Sequence, residues 1–161
     1  MITGGGKIIG NGGSFNGERP MLMRFVNCQN ICFDGIYEEG SGSWCNHFVL
    51  CQNVHIINVN LYNKVNGNND GFDFDDCKDV FINGCTIETG DDSICLKSSS
   101  GGICENIIIS NCNLSSRTAV FKTGTASKGG FRNVVVTNCI FHDCGMELLT
   151  AKIMLGRQKY G

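Results

Sequence analysis

Apolar side chains recur along this chain at every second position, in short runs that end at a glycine or an asparagine. Five runs align: Asn30-Ile31-Cys32-Phe33, Asn53-Val54-His55-Ile56, Asp79-Val80-Phe81-Ile82, Asn106-Ile107-Ile108-Ile109 and Asn133-Val134-Val135-Val136. Their starts are 23, 26, 27 and 27 residues apart. Each run opens on Asn or Asp and is apolar one and three residues later, a period of two that specifies a strand with one buried face. Five residues after the starts stand Gly35, Asn58, Gly84, Asn111 and Asn138. Glycine and asparagine best tolerate a left-handed backbone, so each run is expected to bend there. Past the bend the alternation resumes, in Val59/Leu61, Cys85/Ile87, Cys112/Leu114 and Cys139/Phe141. One unit is therefore strand, bend, strand and a looser Gly-rich turn.

A unit of this kind cannot bury its apolar side alone, but units stacked at the strand spacing of about 4.8 Å share a continuous core. The pattern predicts an all-β fold, a single-stranded parallel β-helix of about six coils over residues 1–145 with an incomplete first coil in residues 1–20. No sustained 3.6-residue period occurs before the last fifteen residues. Residues 146–161, opening Met146-Glu147-Leu148-Leu149, have helix-forming composition and are expected to make a C-terminal tail or a short helical cap.

Composition narrows the class. A hydrophobic content of 42% in 161 residues suffices for one buried core, and 22 glycines beside a single proline fit many tight corners in a regular structure. No apolar run is long enough for a transmembrane helix, and a formal charge of -2 argues against nucleic acid or an anionic membrane as partner. The opening Met1-Ile2-Thr3-Gly4 has neither the basic end nor the apolar core of a signal peptide. Seven of the 11 cysteines fall into two columns, Cys28/Cys51/Cys77/Cys104 and Cys85/Cys112/Cys139. Stacked Cβ atoms at the strand spacing are too far apart for disulfides, and a line of thiols is not a zinc tetrahedron, so these read as small buried side chains.

Chemistry concentrates between Asn68 and Ser98. Asp70 is followed by Gly71, and Gly90 precedes Asp91 and Asp92; the separation of Asp70 from Asp91, 21 residues, is close to one repeat. That spacing sets the carboxyl groups nearly beside one another on adjacent coils. Crowded carboxyls raise one another's pKa, leaving one protonated while another stays ionised, as acid and base catalysis of glycoside hydrolysis needs. A solvated acidic face or a calcium site is the plainer reading of the same residues. Trp44 is either a sugar-stacking platform or ordinary packing. His47 and His55 read as structural or surface residues.

Arg19-Pro20, Phe25-Val26-Asn27-Cys28-Gln29-Asn30, Ser43-Trp44, Asn68-Asn69-Asp70-Gly71-Phe72-Asp73 and Gly90-Asp91-Asp92-Ser93-Ile94-Cys95-Leu96-Lys97-Ser98 together resemble the polygalacturonase family, glycoside hydrolase family 28. The likeness runs to about residue 140 and rests on N-T-D-G-x-D and G-D-D-x-I-x-x-K-S motifs in the family's order and separation. It implies a right-handed parallel β-helix that hydrolyses α-linked uronic acid chains with inversion, without metal or other cofactor, in a secreted or periplasmic setting. By position Asp91 would be the general acid, and Asp70 and Asp92 the pair that activates water. Asn68, Lys97, Arg117 and Lys122 are candidate substrate binders. The family's G-H-G motif has no counterpart here, Thr118 standing in the histidine's place, and of its R-x-K motif only Ala151-Lys152-Ile153 is visible. Members of the family are longer, so the chain reads as a partial member. Two other classes compete with the enzyme: a carbohydrate-binding β-helix of little or no activity, and a truncated structural fragment. A polysaccharide lyase on the same fold would need calcium and a basic proton abstractor.

Overall fold

The computed structural model describes residues 1–150, and its coils follow one another as triplets of strands. The first is β1 (Ile2–Thr3), β2 (Lys7–Ile9) and β3 (Met23–Val26), with a 3-10 turn at Gly12–Ser14 before β3. Next come β4 (Gln29–Asp34), β5 (Tyr37–Glu39) and β6 (Asn46–Val49), then β7 (Gln52–Ile57), β8 (Asn60–Asn63) and β9 (Phe72–Asp75). The fourth coil has β10 (Lys78–Asn83), β11 (Thr86–Thr89) and β12 (Ile94–Ser98), and the fifth β13 (Cys104–Ser110), β14 (Asn113–Ser116) and β15 (Ala119–Ser127). The last has β16 (Phe131–Thr137), β17 (Ile140–His142) and β18 (Met146–Thr150). Equivalent strands pair in parallel into three six-stranded sheets, here A (β1 to β16), B (β2 to β17) and C (β3 to β18). This is the parallel β-helix that the alternation predicts, right-handed as the family resemblance implies.

The inward positions build the core. Val54, Ile56, Val80, Ile82, Ile107 and Ile109 from sheet A and Leu61, Ile87 and Leu114 from sheet B are buried, and Phe48 and Phe74 of sheet C stack with their centroids 5.0 Å apart. All 11 cysteines are free. Most of those in the two columns are buried, their thiols donating to backbone carbonyls, as Cys77 does to Phe48 and Asp75, each at 3.4 Å.

Every expected bend is left-handed, with φ of 71° at Gly35, 53° at Asn58, 68° at Gly84, 56° at Asn111 and 51° at Asn138. A second left-handed row lies at Asn30, Asn53, Asp79, Asn106 and Asn133, where φ is 54–58° and the pairing register steps over the residue. Side-chain amides link this row between coils, Asn53 to Asn30 at 2.6 Å and Asn106 to Asp79 at 2.8 Å.

One expectation is overturned within the described residues. Met146–Thr150 is strand, not helix: Met146, Leu148 and Thr150 pair with Ala119, Phe121 and Thr123 of β15. The unpaired edge of β15 offers a row of backbone donors and acceptors, and satisfying it outweighs the modest helix propensity of five residues. The remainder of the expected tail, 151–161, lies outside the described residues.

Candidate active site

Two rungs of the turn that leads into sheet C carry the acidic residues. The parallel ladder continues through this turn: Cys45 N–H donates to Asp70 O at 3.0 Å, Gly71 N–H to Asp92 O at 2.9 Å and Ser93 N–H to Ala119 O at 3.0 Å. Trp44, Asp70 and Asp92 therefore stand in one column along the helix axis, with Thr118 and Ala119 on the rung beyond. Gly71 is required where it stands, because a Cβ there would lie 2.5 Å from Ser93 O. Asn69, fully buried, ties the corner down by donating to Ser41 O at 3.1 Å and Ser43 O at 2.8 Å.

The spacing seen in the sequence brings Asp70, Asp91 and Asp92 together: one carboxylate oxygen from each lies within 4.8 Å of the others. Asp70 and Asp92 are buried and Asp91 is half-exposed. Thr118 Oγ1 donates to Asp91 Oδ1 at 3.0 Å and stands 3.2 Å from Asp92 Oδ1, bridging the two. Lys122 Nζ pairs with Asp92 Oδ2 at 2.6 Å. Partial burial works against the Lys122 charge, yet Asp92 holds the ammonium above its usual range. The main-chain carbonyl of Asp91 accepts the hydroxyls of Thr89 and Ser116, both at 2.6 Å, which fixes the backbone that carries the acid pair.

Burial first, and then the charges of Asp73, Asp91 and Asp92, push the Asp70 carboxyl up to about 8, against the opposing pull of Lys97. Its Oδ1 is buried without a hydrogen-bond partner among the described residues. Its environment thus favours the protonated form of Asp70. Asp73, one turn of the pleat away and fully buried, faces Lys97 Nζ at 3.1 Å. Burial drives Asp73 upward, but the same contact raises the Lys97 ammonium against its own desolvation, so we take the pair as ionised.

The other sequence candidates divide. Lys122 touches the cluster directly, whereas Lys97 reaches it through Asp73. Asn68 is exposed, left-handed at φ 53°, and accepts from Arg19 Nη2 at 3.1 Å. Arg117 is exposed beside Thr118, its backbone N–H donating to Thr89 O at 3.1 Å. His47 is buried and its pKa is lowered to about 4, by desolvation and then by Arg24, which leaves it neutral. The hydroxyls of Thr89 and Ser116 were not singled out in the sequence; their signal is a Ser or Thr at matching ends of β11 and β14, paired in register. The three aspartates are also the group of described residues close enough to share one cation.

The family model for glycosyl hydrolases family 28 matches residues 1–148. A probable polygalacturonase of Arabidopsis thaliana is 32% identical over 107 residues, covering 64% of this chain and 24% of its own. A probable polygalacturonase of Vitis vinifera is 30% identical over 89 residues, 55% of this chain and 18% of the relative. The crystal structure of a hyperthermoactive exopolygalacturonase from Thermotoga maritima superposes with a TM-score of 0.75 at 32% identity, over 82% of this chain and 32% of that one. The chain thus spans about a third or less of the length of these relatives. With a family match over nearly all the described coils, and the acidic turn where the family's motifs lie, the chain belongs to glycoside hydrolase family 28.

Proposed function

We propose that this chain hydrolyses an α-linked uronic acid polymer of the polygalacturonate type, by single displacement at the Asp70, Asp91 and Asp92 cluster. The observation that carries the reading is the convergence of the three carboxylates within 4.8 Å, bridged by Thr118 and with Lys122 on one member. Asp91, the most exposed of the three, protonates the glycosidic oxygen. Asp92, paired with Lys122, takes a proton from the attacking water, which Asp70 helps to hold. The reaction leaves Asp92 protonated and Asp91 ionised. Thr118 then resets the pair, its oxygen accepting the proton of Asp92 while its hydroxyl proton passes to Asp91.

The carboxylate oxygens are closer than the roughly 6.5 to 9.5 Å that inverting carboxyl pairs generally keep, and nearer the retaining range. The assignment of inversion rests instead on what the likeness to glycoside hydrolase family 28 implies. A polymer substrate fits action outside the cytoplasm, in the secreted or periplasmic setting that the family resemblance implies. The experiment is release of reducing ends from polygalacturonate and from neutral glycans, in excess chelator, with Asp91→Asn alongside. Cleavage of polygalacturonate by the parent alone supports the reading. Silence from folded parent protein leaves a binding β-helix, and activity abolished by chelator points to a lyase.

A further inference from the structure

On its N-terminal side the column that holds Asp70 and Asp92 continues to Trp44, and nothing in the proposed chemistry uses that residue. Trp44 sits one rung from Asp70, about one strand spacing of 4.8 Å along the axis, and is half-buried. Its ring is held from two sides: Lys97 Nζ lies over the indole, 4.5 Å from the centroid, and His47 meets it edge-on at 5.0 Å and 87°. Lys97 is itself fixed by Asp73 and His47 is buried, so the indole is locked in orientation rather than free at the surface. Beside this column runs a second one, in register on sheet C: Arg24, His47, Asp73, Cys95 and Lys122. Arg24 and Lys122 are the cations of this run. Lys122 is engaged by Asp92, and Arg24 is exposed one rung beyond Trp44.

We infer that Trp44 and Arg24 form a subsite for an acidic sugar unit on the N-terminal side of the three aspartates. This rests on the hydrolase reading above and adds to it a residue set for recognition. A pyranose ring presents an apolar C–H face that stacks on indole. A uronate carboxylate matches the planar fork of a guanidinium, which Lys would not reproduce. The need for a cation is local: the carboxylate cluster repels an anionic polymer, and with Lys97 and Lys122 already paired, Arg24 supplies positive charge on that side.

Trp44 is the only tryptophan of the chain, so its fluorescence reports this subsite without background. Trigalacturonate is titrated into the Asp91→Asn protein, which binds without turnover, and a neutral trisaccharide is titrated in parallel. The subsite predicts a saturable fluorescence change with trigalacturonate that is weaker by about tenfold or more with the neutral sugar, a difference near 1.4 kcal/mol. Arg24→Gln should weaken the acidic ligand about tenfold and leave the neutral one unchanged, as circular dichroism checks the fold. By calorimetry Trp44→Ala should weaken trigalacturonate by a similar factor, and Trp44→Phe should recover part of it. Cleavage of polygalacturonate by the parent with no Trp44 response, or affinity indifferent to Arg24, overturns the subsite alone. Absence of both binding and cleavage overturns the hydrolase reading, and the subsite with it.

Discussion

Two turns of the coil make opposite use of the repeat. Between sheets A and B the chain turns at Gly35, Asn58, Gly84, Asn111 and Asn138, the same two residue types on every coil and the same left-handed backbone. Leading into sheet C, successive coils present Trp44, Asp70, Asp92 and the Thr118-Ala119 pair, with no residue type repeated except the two aspartates. The first turn is built for stacking, each coil satisfying its neighbour through like residues. In the second, the ladder continues in the backbone while the side chains differ, and it gathers buried carboxylates of like charge. Such a cluster lowers stability, a cost characteristic of functional sites. A solenoid thus separates its tasks by turn: regularity supports the stack, and departure from regularity marks the site.

The largest effect that sharpens this contrast is on turnover. Asp91→Asn should reduce polygalacturonate cleavage by at least about a thousandfold, within the range for loss of a general acid, with an unchanged circular dichroism spectrum. Next comes Asp70→Asn, which should inactivate and yet stabilise. The Asp70 carboxyl is raised from 3.8 to about 8 in the folded chain, so the folded state binds this proton more tightly than the unfolded one. Its contribution is fully present below about pH 4 and is lost as pH rises through about 8. Melting in buffers from pH 4 to 9 should therefore show the variant and parent alike at the acid end. At the alkaline end the variant should be more stable by an amount on the order of a few kcal/mol. The same proton gives the parent's activity a descending limb near pH 8, measurable from initial rates.

The regular turn answers differently. Asn111 has φ of 56°, where a β-branched side chain is strained. Asn111→Val should cost about 2 kcal/mol in urea unfolding, whereas Asn111→Gly should stay within about 0.5 kcal/mol; both should leave the proposed turnover of the folded protein untouched. The smallest expected change is at Thr118. Removing the bridging hydroxyl in Thr118→Val should lower kcat about tenfold with little change in KM, and Thr118→Ser should retain most of the rate. Equal losses in both variants would make Thr118 a matter of packing.

The coils were readable because the period of two and the Gly or Asn at each bend are local properties, repeated often enough to outweigh any single irregular run. The row at Asn30, Asn53, Asp79, Asn106 and Asn133 was read only as the start of each strand, although the same preference for left-handed backbone makes it a second bend. The aspartate cluster was visible because a separation near one repeat makes sequence distance a spatial one. Its partners were not. Whether Lys97 turns to Asp73 and Lys122 to Asp92 depends on the register of sheet C and on the reach of flexible side chains, which no spacing rule encodes. The last strand was misread for a related reason: five residues of helical composition lie against an open sheet edge, and the edge decides.

The first product formed tests the proposed displacement most directly. Proton NMR of polygalacturonate cleavage, followed before mutarotation, reads the configuration of the new reducing end. Hydrolysis by water held between Asp92 and Asp70 predicts that the end appears first as the β anomer, inverted from the α linkage, and equilibrates afterwards. An α anomer at first appearance, or an unsaturated sugar at the new terminus, would contradict it.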